Sequence, residues 1–178
     1  MALADQLELQ PVPALVHTLL GDRNALQEIA SYYFRAASPW LPIISKRRVF
    51  DQLLNPLLSP IRADAYFLLL CMLVITQPPP VACAWSDEYY AAIQFRAELE
   101  LTGALSLNIL QGCILLAAYE QGNAIYPAAH LSIGNCLKRA TALGLGWTYS
   151  WPDSVIAAEQ FRAEERRRVW WAIYLLER

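Results

Sequence analysis

From Ala65 to Ile75 the chain carries eleven consecutive apolar residues, closed off by Asp64 on one side and Thr76-Gln77 on the other. A membrane-spanning helix needs about 18 or more such residues, so this run is too short to cross a bilayer. Its side chains do not alternate between apolar and polar as those of a half-buried strand do, and wound as a helix they leave almost no polar face. Such a helix is stable only when other elements surround it. The run therefore predicts a central helix from Ser59-Pro60 to about Thr76, inside a shell made by the rest of the chain. Ser59 is its expected cap and Pro60 its first residue, where a missing amide hydrogen leaves no bond unmade.

The shell reads as helices too. Glycines, prolines and capping residues divide the 178 residues into about seven helical segments, none with sustained two-residue alternation. The expected fold is one all-α domain: a compact array of about seven helices, with antiparallel helical hairpins around the central apolar one. Behind Asp22 or Asn24 as caps, Leu26, Ile29, Ala30, Tyr33 and Ala37 recur at helical spacing, and Pro39 and Pro42 then favour an extended passage. Ser45 caps a short helix with Val49, Phe50, Leu53 and Leu54 as its apolar positions. Pro78 to Pro80 form a stiff connector to Ser86, the cap of a helix carrying Tyr90, Ile93, Ala97 and Leu101 on one apolar face. Thr102-Gly103 breaks it. Ser106 opens the next, with Leu107, Leu110, Ile114, Ala117 and Ala118 inward and Gly122-Asn123 as a left-handed stop.

Pro127 begins a helix striped by Ala129, Ile133, Cys136, Leu137, Ala140 and Leu143, with Gly144 where a C-terminus favours glycine. The short loop between these two helices makes them antiparallel neighbours, and Gly112 and Gly134 among other small residues would let their backbones approach. The stretch 145–155, with Trp147, Trp151 and Pro152, reads as an aromatic loop. A final helix of roughly 159–177 turns Phe161, Val169, Ala172, Ile173 and Leu176 inward.

Composition narrows the function classes. Residues AVILMFWYC make up 56% and charged residues only 17%, well below the usual ~25%, so part of the surface is expected to be covered by another chain or domain. Fourteen basic against sixteen acidic residues give a net charge of −2, which leaves no cationic excess to hold a phosphate backbone. The first residues carry no secretory signal, and a soluble intracellular protein is expected. Cys71, Cys83, Cys113 and Cys136 form no C-x-x-C pair and lie in predominantly apolar surroundings, as buried free thiols do. His17 and His130 lack a second ligand at metal spacing, and no nucleophile elbow, zinc-protease or phosphate-loop motif occurs. Gly144-Leu-Gly146 follows a helix where a dinucleotide fingerprint follows a strand. The acids Asp87, Glu88, Glu98 and Glu100 read as solvated helix faces. No cofactor or metal is expected on this chain.

The least ordinary segment is Ala163-Glu-Glu-Arg-Arg-Arg-Val-Trp-Trp-Ala172. Consecutive helical residues advance about 100°, so Arg166, Arg167 and Arg168 cannot share a face and one or two must turn toward the protein or a partner. Glu164 stands i,i+3 from Arg167 and i,i+4 from Arg168, and Trp170 and Trp171 are spaced for guanidinium stacking. The residues admit three readings: a charged rim over an aromatic core, a nucleic-acid patch muted by Glu159, Glu164 and Glu165, and a carboxylate site for a partner segment.

Further motifs come in a fixed order: Tyr33-Phe34, Pro39-Trp-Leu-Pro-Ile-Ile44 and Phe50, then Ser106-Leu-x-x-Leu110-Gln111 and Ala117-x-Tyr119-Glu120. Ala128-x-x-x-x-Ile133-Gly134, Arg139-Ala140, Leu143-Gly-Leu145, Glu165-Arg-Arg-Arg-Val-Trp-Trp171 and Leu176-x-Arg178 complete the series. From about Tyr33 to Arg178 it resembles the middle homology region, or fungal-specific transcription factor domain, of fungal zinc binuclear cluster regulators. The resemblance implies an all-helical, noncatalytic regulatory body that lies C-terminal to a DNA-binding zinc cluster, acts in the nucleus on transcription and in some members responds to small molecules. Its implied partners are other parts of a transcription factor or the transcriptional machinery. The family-motif positions are Glu165, Arg166, Arg167, Arg168, Trp170, Trp171, Gly134, Arg139, Gly144, Gln111 and Tyr119.

On this reading residues 1–32 are a lead-in with the first helix, and 33–178 are the N-terminal and middle part of the regulatory domain. Nothing before Tyr33 supplies the family's cysteine-rich cluster, so zinc is expected only upstream of this chain and no direct DNA contact is expected from it. The family domain normally continues past the position of Arg178, with Asp more usual where Glu177 stands, so the sequence is expected to stop inside the domain. Trp170, Trp171, Tyr174 and Leu175, spread around the last helix, then predict an apolar patch and self-association. The alternative from another class is a small-molecule-binding or catalytic all-α domain, in which abundant Trp and Tyr line an apolar pocket. The lack of convergent acid, base or metal groups weighs against catalysis.

Overall fold

The computed structural model describes residues 10–55, 60–78, 85–146 and 157–178, with side chains from residue 160 onward in the last stretch. Within these residues the chain is helical with no strand. In order come α1 (Ala14–Leu20), α2 (Arg23–Ala36), and α3 (Lys46–Arg48), which runs on into a π-helical turn (Val49–Leu53). Then follow α4 (Ala63–Ile75), α5 (Asp87–Leu101), α6 (Leu107–Gly122), α7 (Ala128–Ala142) and α8 (Ala157–Leu176). None of the described helices is long and apolar enough to cross a membrane.

The apolar run is central, as its composition requires: α4 buries every residue from Phe67 to Met72, together with Ala63, Asp64, Ala65 and Val74. It packs most extensively on α6, and also on α5, α2 and α1. A second wrapped helix goes beyond the expectation. Instead of one inward stripe, α6 is buried on every side from Asn108 to Glu120. Gly112 makes the α4–α6 approach possible, since a Cβ there would stand 2.6 Å from Cε1 and 2.9 Å from Cδ1 of Phe67 and 3.2 Å from Sγ of Cys71. Its missing side chain serves α4, not the α7 neighbour predicted from the sequence. Gly134 serves no close approach at all: it is exposed, and an added Cβ would find nothing within 4 Å.

Local chemistry sets the element ends. Asp22, Ser45, Ser86 and Ser106 cap α2, α3, α5 and α6, each side chain accepting a hydrogen bond from the backbone amide three residues on. Gly103 and Gly144 take positive φ beyond α5 and α7. After α6 the left-handed residue is Ala124 (φ 54°), not Gly122 or Asn123. The Asn123 Nδ2 donates to the Tyr119 carbonyl at 2.8 Å and so caps the helix end, which moves the reversal one residue on. Pro127 is the N-cap of α7, and the Tyr126–Pro127 bond is cis.

Three sequence expectations need correction. Helix α4 starts at Ala63 behind Arg62, not at Pro60, and this start places the Asp64 carboxylate in the first turn, where the helix dipole favours a negative charge. On α5 the buried face is Tyr89, Ala91, Ala92, Phe95 and Leu99, while Tyr90 and Ala97 face solvent and Leu101 is 88% exposed. Both sides of α5 carry apolar residues, and Phe95, edge-on to Phe67 at 5.9 Å between centroids, decides which turns inward. On α8, Val169, Ala172 and Ile173 are buried as expected, but Phe161 is 64% exposed, and the buried residue on its side of the helix is Glu165, one turn on. Ser59, Pro79, Pro80, Cys83, Trp147, Trp151 and Pro152 lie outside the described residues.

Candidate functional site

A buried polar hub joins α3, α4, α6 and α8, with Arg48 at its centre. Ser45 ends an irregular stretch, its hydroxyl caps the following turn, and the helical rotation this starts carries Arg48 inward while Arg47 stays in solvent. The Arg48 Nε donates to both oxygens of Glu165 at 3.1 and 3.0 Å, and Nη2 donates to Glu165 Oε1 at 3.0 Å. Nη2 also donates to Gln111 Oε1 at 2.7 Å, and Nη1 to Asn108 Oδ1 at 2.5 Å. The pair is largely shielded, with 15% of the Arg48 side chain and 5% of the Glu165 side chain exposed.

Glu165 takes most of its donors on Oε1. Besides Arg48 it accepts the Ser45 amide at 2.9 Å and Gln111 Nε2 at 2.9 Å, and the same Gln111 nitrogen donates to the Ile43 carbonyl at 2.7 Å. The hub continues through Asn108, whose Nδ2 donates to Asp64 Oδ2 at 3.1 Å, to the Ser106 hydroxyl, which donates to the same oxygen at 2.8 Å. Arg62 pairs with Asp64 at 3.2 Å. The capping hydroxyl of α6 is therefore tied to the first turn of α4.

Of the motif positions, Glu165 and Gln111 meet in the hub, and the others lie elsewhere. Arg166 is the arginine of the triple that turns toward the protein, its Nη2 donating to the Leu143 carbonyl at 3.0 Å beside Gly144, whose positive φ ends α7. Arg167 and Arg168 are exposed and share Glu164, at 2.7 and 2.8 Å. Cation–ring contacts occur instead at Arg35 on Tyr32 and Arg178 on Tyr174. Trp170 packs half-buried against the core and Trp171 is exposed. Arg139 pairs with Glu100 at 2.8 Å and ties α7 to the end of α5.

Tyr119 is buried against Tyr89, with ring centroids 5.4 Å apart. The Tyr89 hydroxyl donates to Glu120 Oε1 at 3.0 Å, and burial, then the neighbouring Glu120 charge, push the Tyr89 hydroxyl well above the usual phenol range. Arg48, Asn108 and Asp64 escape sequence reasoning, although Asn108 and Gln111 stand one turn apart on an otherwise apolar helix, which is a legible sign of an internal polar contact.

No group of three or more His, Cys, Asp and Glu among the described residues could hold a metal. Cys71, Cys113 and Cys136 are buried and free; burial raises the Cys113 thiol to about 11 and the other two well above the usual range. Such thiols are poor ligands and poor nucleophiles. The hub carboxylates accept from internal donors, with the buried Asp64 Oδ1 standing 3.2 Å from the Arg62 Nε without a hydrogen bond, and the arrangement is that of a clasp.

Comparison with known proteins gives the same direction. A model described as the fungal specific transcription factor domain matches residues 30–178. The chain is 42% identical over 130 residues, 71% of each chain, to "Transcription factor BOA15" of Botryotinia fuckeliana (strain B05.10). No solved structure matches.

Proposed function

The chain belongs to the fungal specific transcription factor domain family, and from that premise we propose that it is a noncatalytic regulatory and interaction domain controlling DNA-templated transcription in the nucleus. The carrying observation is that the family match runs through most of the helical body, from the middle of α2 to the end of α8. Glu165 and Gln111 then act by keeping α8 seated on α6, and Arg166 and Arg139 by fixing α7 between its neighbours. Arg167, Arg168, Trp171 and Gly134 are exposed and serve as contact positions for other parts of a transcription factor or the transcriptional machinery. The domain works without a metal or cofactor of its own and answers to a small-molecule effector. DNA contact falls to another module, because the net charge of −2 offers no cationic face.

The test is a fusion of this chain to an unrelated DNA-binding domain at a reporter promoter. Output should change several-fold, up or down, relative to the DNA-binding domain alone. Output equal to that control overturns the reading.

A further inference from the structure

The geometry points to the cleft between the π-helical turn and α8 as a binding site for a small planar carboxylate bearing an apolar ring. This rests on the reading of the chain as a regulatory domain and names the chemistry of its effector. The cleft measures about 640 Å³, within the roughly 300–1,000 Å³ typical of small-ligand sites. It is lined by the largely shielded Arg48–Glu165 pair, which we take as its floor, and by the exposed Arg47, Asp51, Gln52, Phe161 and Arg162.

Charge decides the class of ligand. The floor pair cancels, with four donor atoms converging on Glu165 Oε1 and the Arg48 Nε on Oε2, which leaves the charge balance of the cleft to the other side chains that line it. The remaining carboxylate, Asp51, accepts from the Arg47 Nε at 3.3 Å, with the Arg47 and Asp51 side chains 80% and 62% exposed, so the pair is weak and leaves the Arg47 terminal nitrogens to a ligand. Arg162 is exposed and makes no ion pair among the described residues. Two guanidinium groups and the Gln52 amide thus stand against one weakly paired acid, and a guanidinium fork matches a carboxylate in shape as well as charge. Phe161 supplies a flat apolar face for a ring.

The wall itself is unusual. The Leu54 amide donates to the Val49 carbonyl at 2.9 Å, closing a π-helical turn, a form that is rare and recurs at functional sites. A ligand held by Arg47 and Arg162 bridges α3 and α8, which are otherwise joined through Arg48 and Glu165. It therefore favours the seated position of α8, and that differential binding is what an effector needs to shift a population.

The probe is 2-naphthoate, titrated into the isotope-labelled full chain and followed by NMR at the arginine Nε–Hε signals, with 2-naphthalenemethanol as the neutral control. Saturable naphthoate binding at least tenfold tighter than the alcohol is expected. Arg162→Gln should weaken it at least tenfold, and Phe161→Ala at least threefold, both without moving the melting midpoint, because these side chains are exposed. Equal affinity for acid and alcohol overturns the proposal, as does undiminished binding by Arg162→Gln. Tighter binding of hexaglutamate than of naphthoate also overturns it, by assigning the cleft to an acidic peptide. A reporter fusion that stays silent while naphthoate still binds removes the regulatory reading alone; an active fusion whose chain fails to bind removes the cleft proposal alone.

Discussion

Glu165 receives donors from three residues, Ser45 and Arg48 at the ends of α3 and Gln111 on α6, so its loss strands several groups at once. Removing one partner of a buried pair costs about 3–5 kcal/mol, because the other charge stays behind. Glu165→Gln is expected to lose stability of that order by urea denaturation, whereas Glu164→Gln, two exposed pairs away from any core, should lose less than about 1 kcal/mol. A Glu165→Gln midpoint equal to the parent's would show that the pair does not seat α8. Glu164 has a separate signature in acid. The Arg168 hydrogen bond first, and then that of Arg167, hold its carboxyl below the usual carboxylate range. A carboxyl with a lowered folded value stabilises above its unfolded pKa, and that contribution is lost as pH falls through the folded one. Melting curves of the parent and Glu164→Gln should therefore differ near neutrality and converge in acid; a gap that widens toward low pH would contradict the pairing. The hub was half legible. Glu165 and Gln111 stand in motifs, but Lys46-Arg47-Arg48 looks like any solvated basic run, and only the cap at Ser45 fixes which of its members turns inward.

Two glycines on helices α6 and α7 give opposite expectations for one substitution. Gly112→Ala gains up to about 1 kcal/mol of helix propensity but drives a methyl into the Phe67 ring, and overpacking of this kind costs about 1–3 kcal/mol. A net loss is expected, with partial recovery when Phe67→Leu is added. Gly134→Ala meets nothing within 4 Å and should stabilise by about 0.5–1 kcal/mol. If Gly134→Ala melts higher yet abolishes the reporter response, that position is a contact surface. Helix existence and most caps were readable because capping side chains and proline act locally. The inward face of α5 was not, since apolar residues lie on both of its sides and the choice is made by Phe67 across the interface. The full wrapping of α6 was equally hidden, because it depends on Gly112 letting α4 come close.

As a whole molecule the chain has few charges and leaves apolar groups in water, Leu175 at 68% and Leu131 at 63% exposed among them. Sedimentation at tens of micromolar should show self-association, reduced by Leu175→Glu; a clean monomer in the parent would overturn this. A gel shift with duplex DNA at submicromolar protein should show no sequence-selective band, as balanced charge predicts. The long reach of the hub also bears on the order in which the domain is made. Arg48 lies 117 residues before the carboxylate that neutralises it. A chain emerging from the ribosome N-terminus first exposes Arg48, Asn108 and Gln111 well before Glu165 exists, at roughly 5–20 residues per second. The central helices can collapse during that interval, but their polar seam stays wet and open until α8 arrives. Closure of the hub is thus tied to synthesis through α8, and a nascent chain stalled between α6 and α8 presents an unfinished polar seam to whatever meets it first.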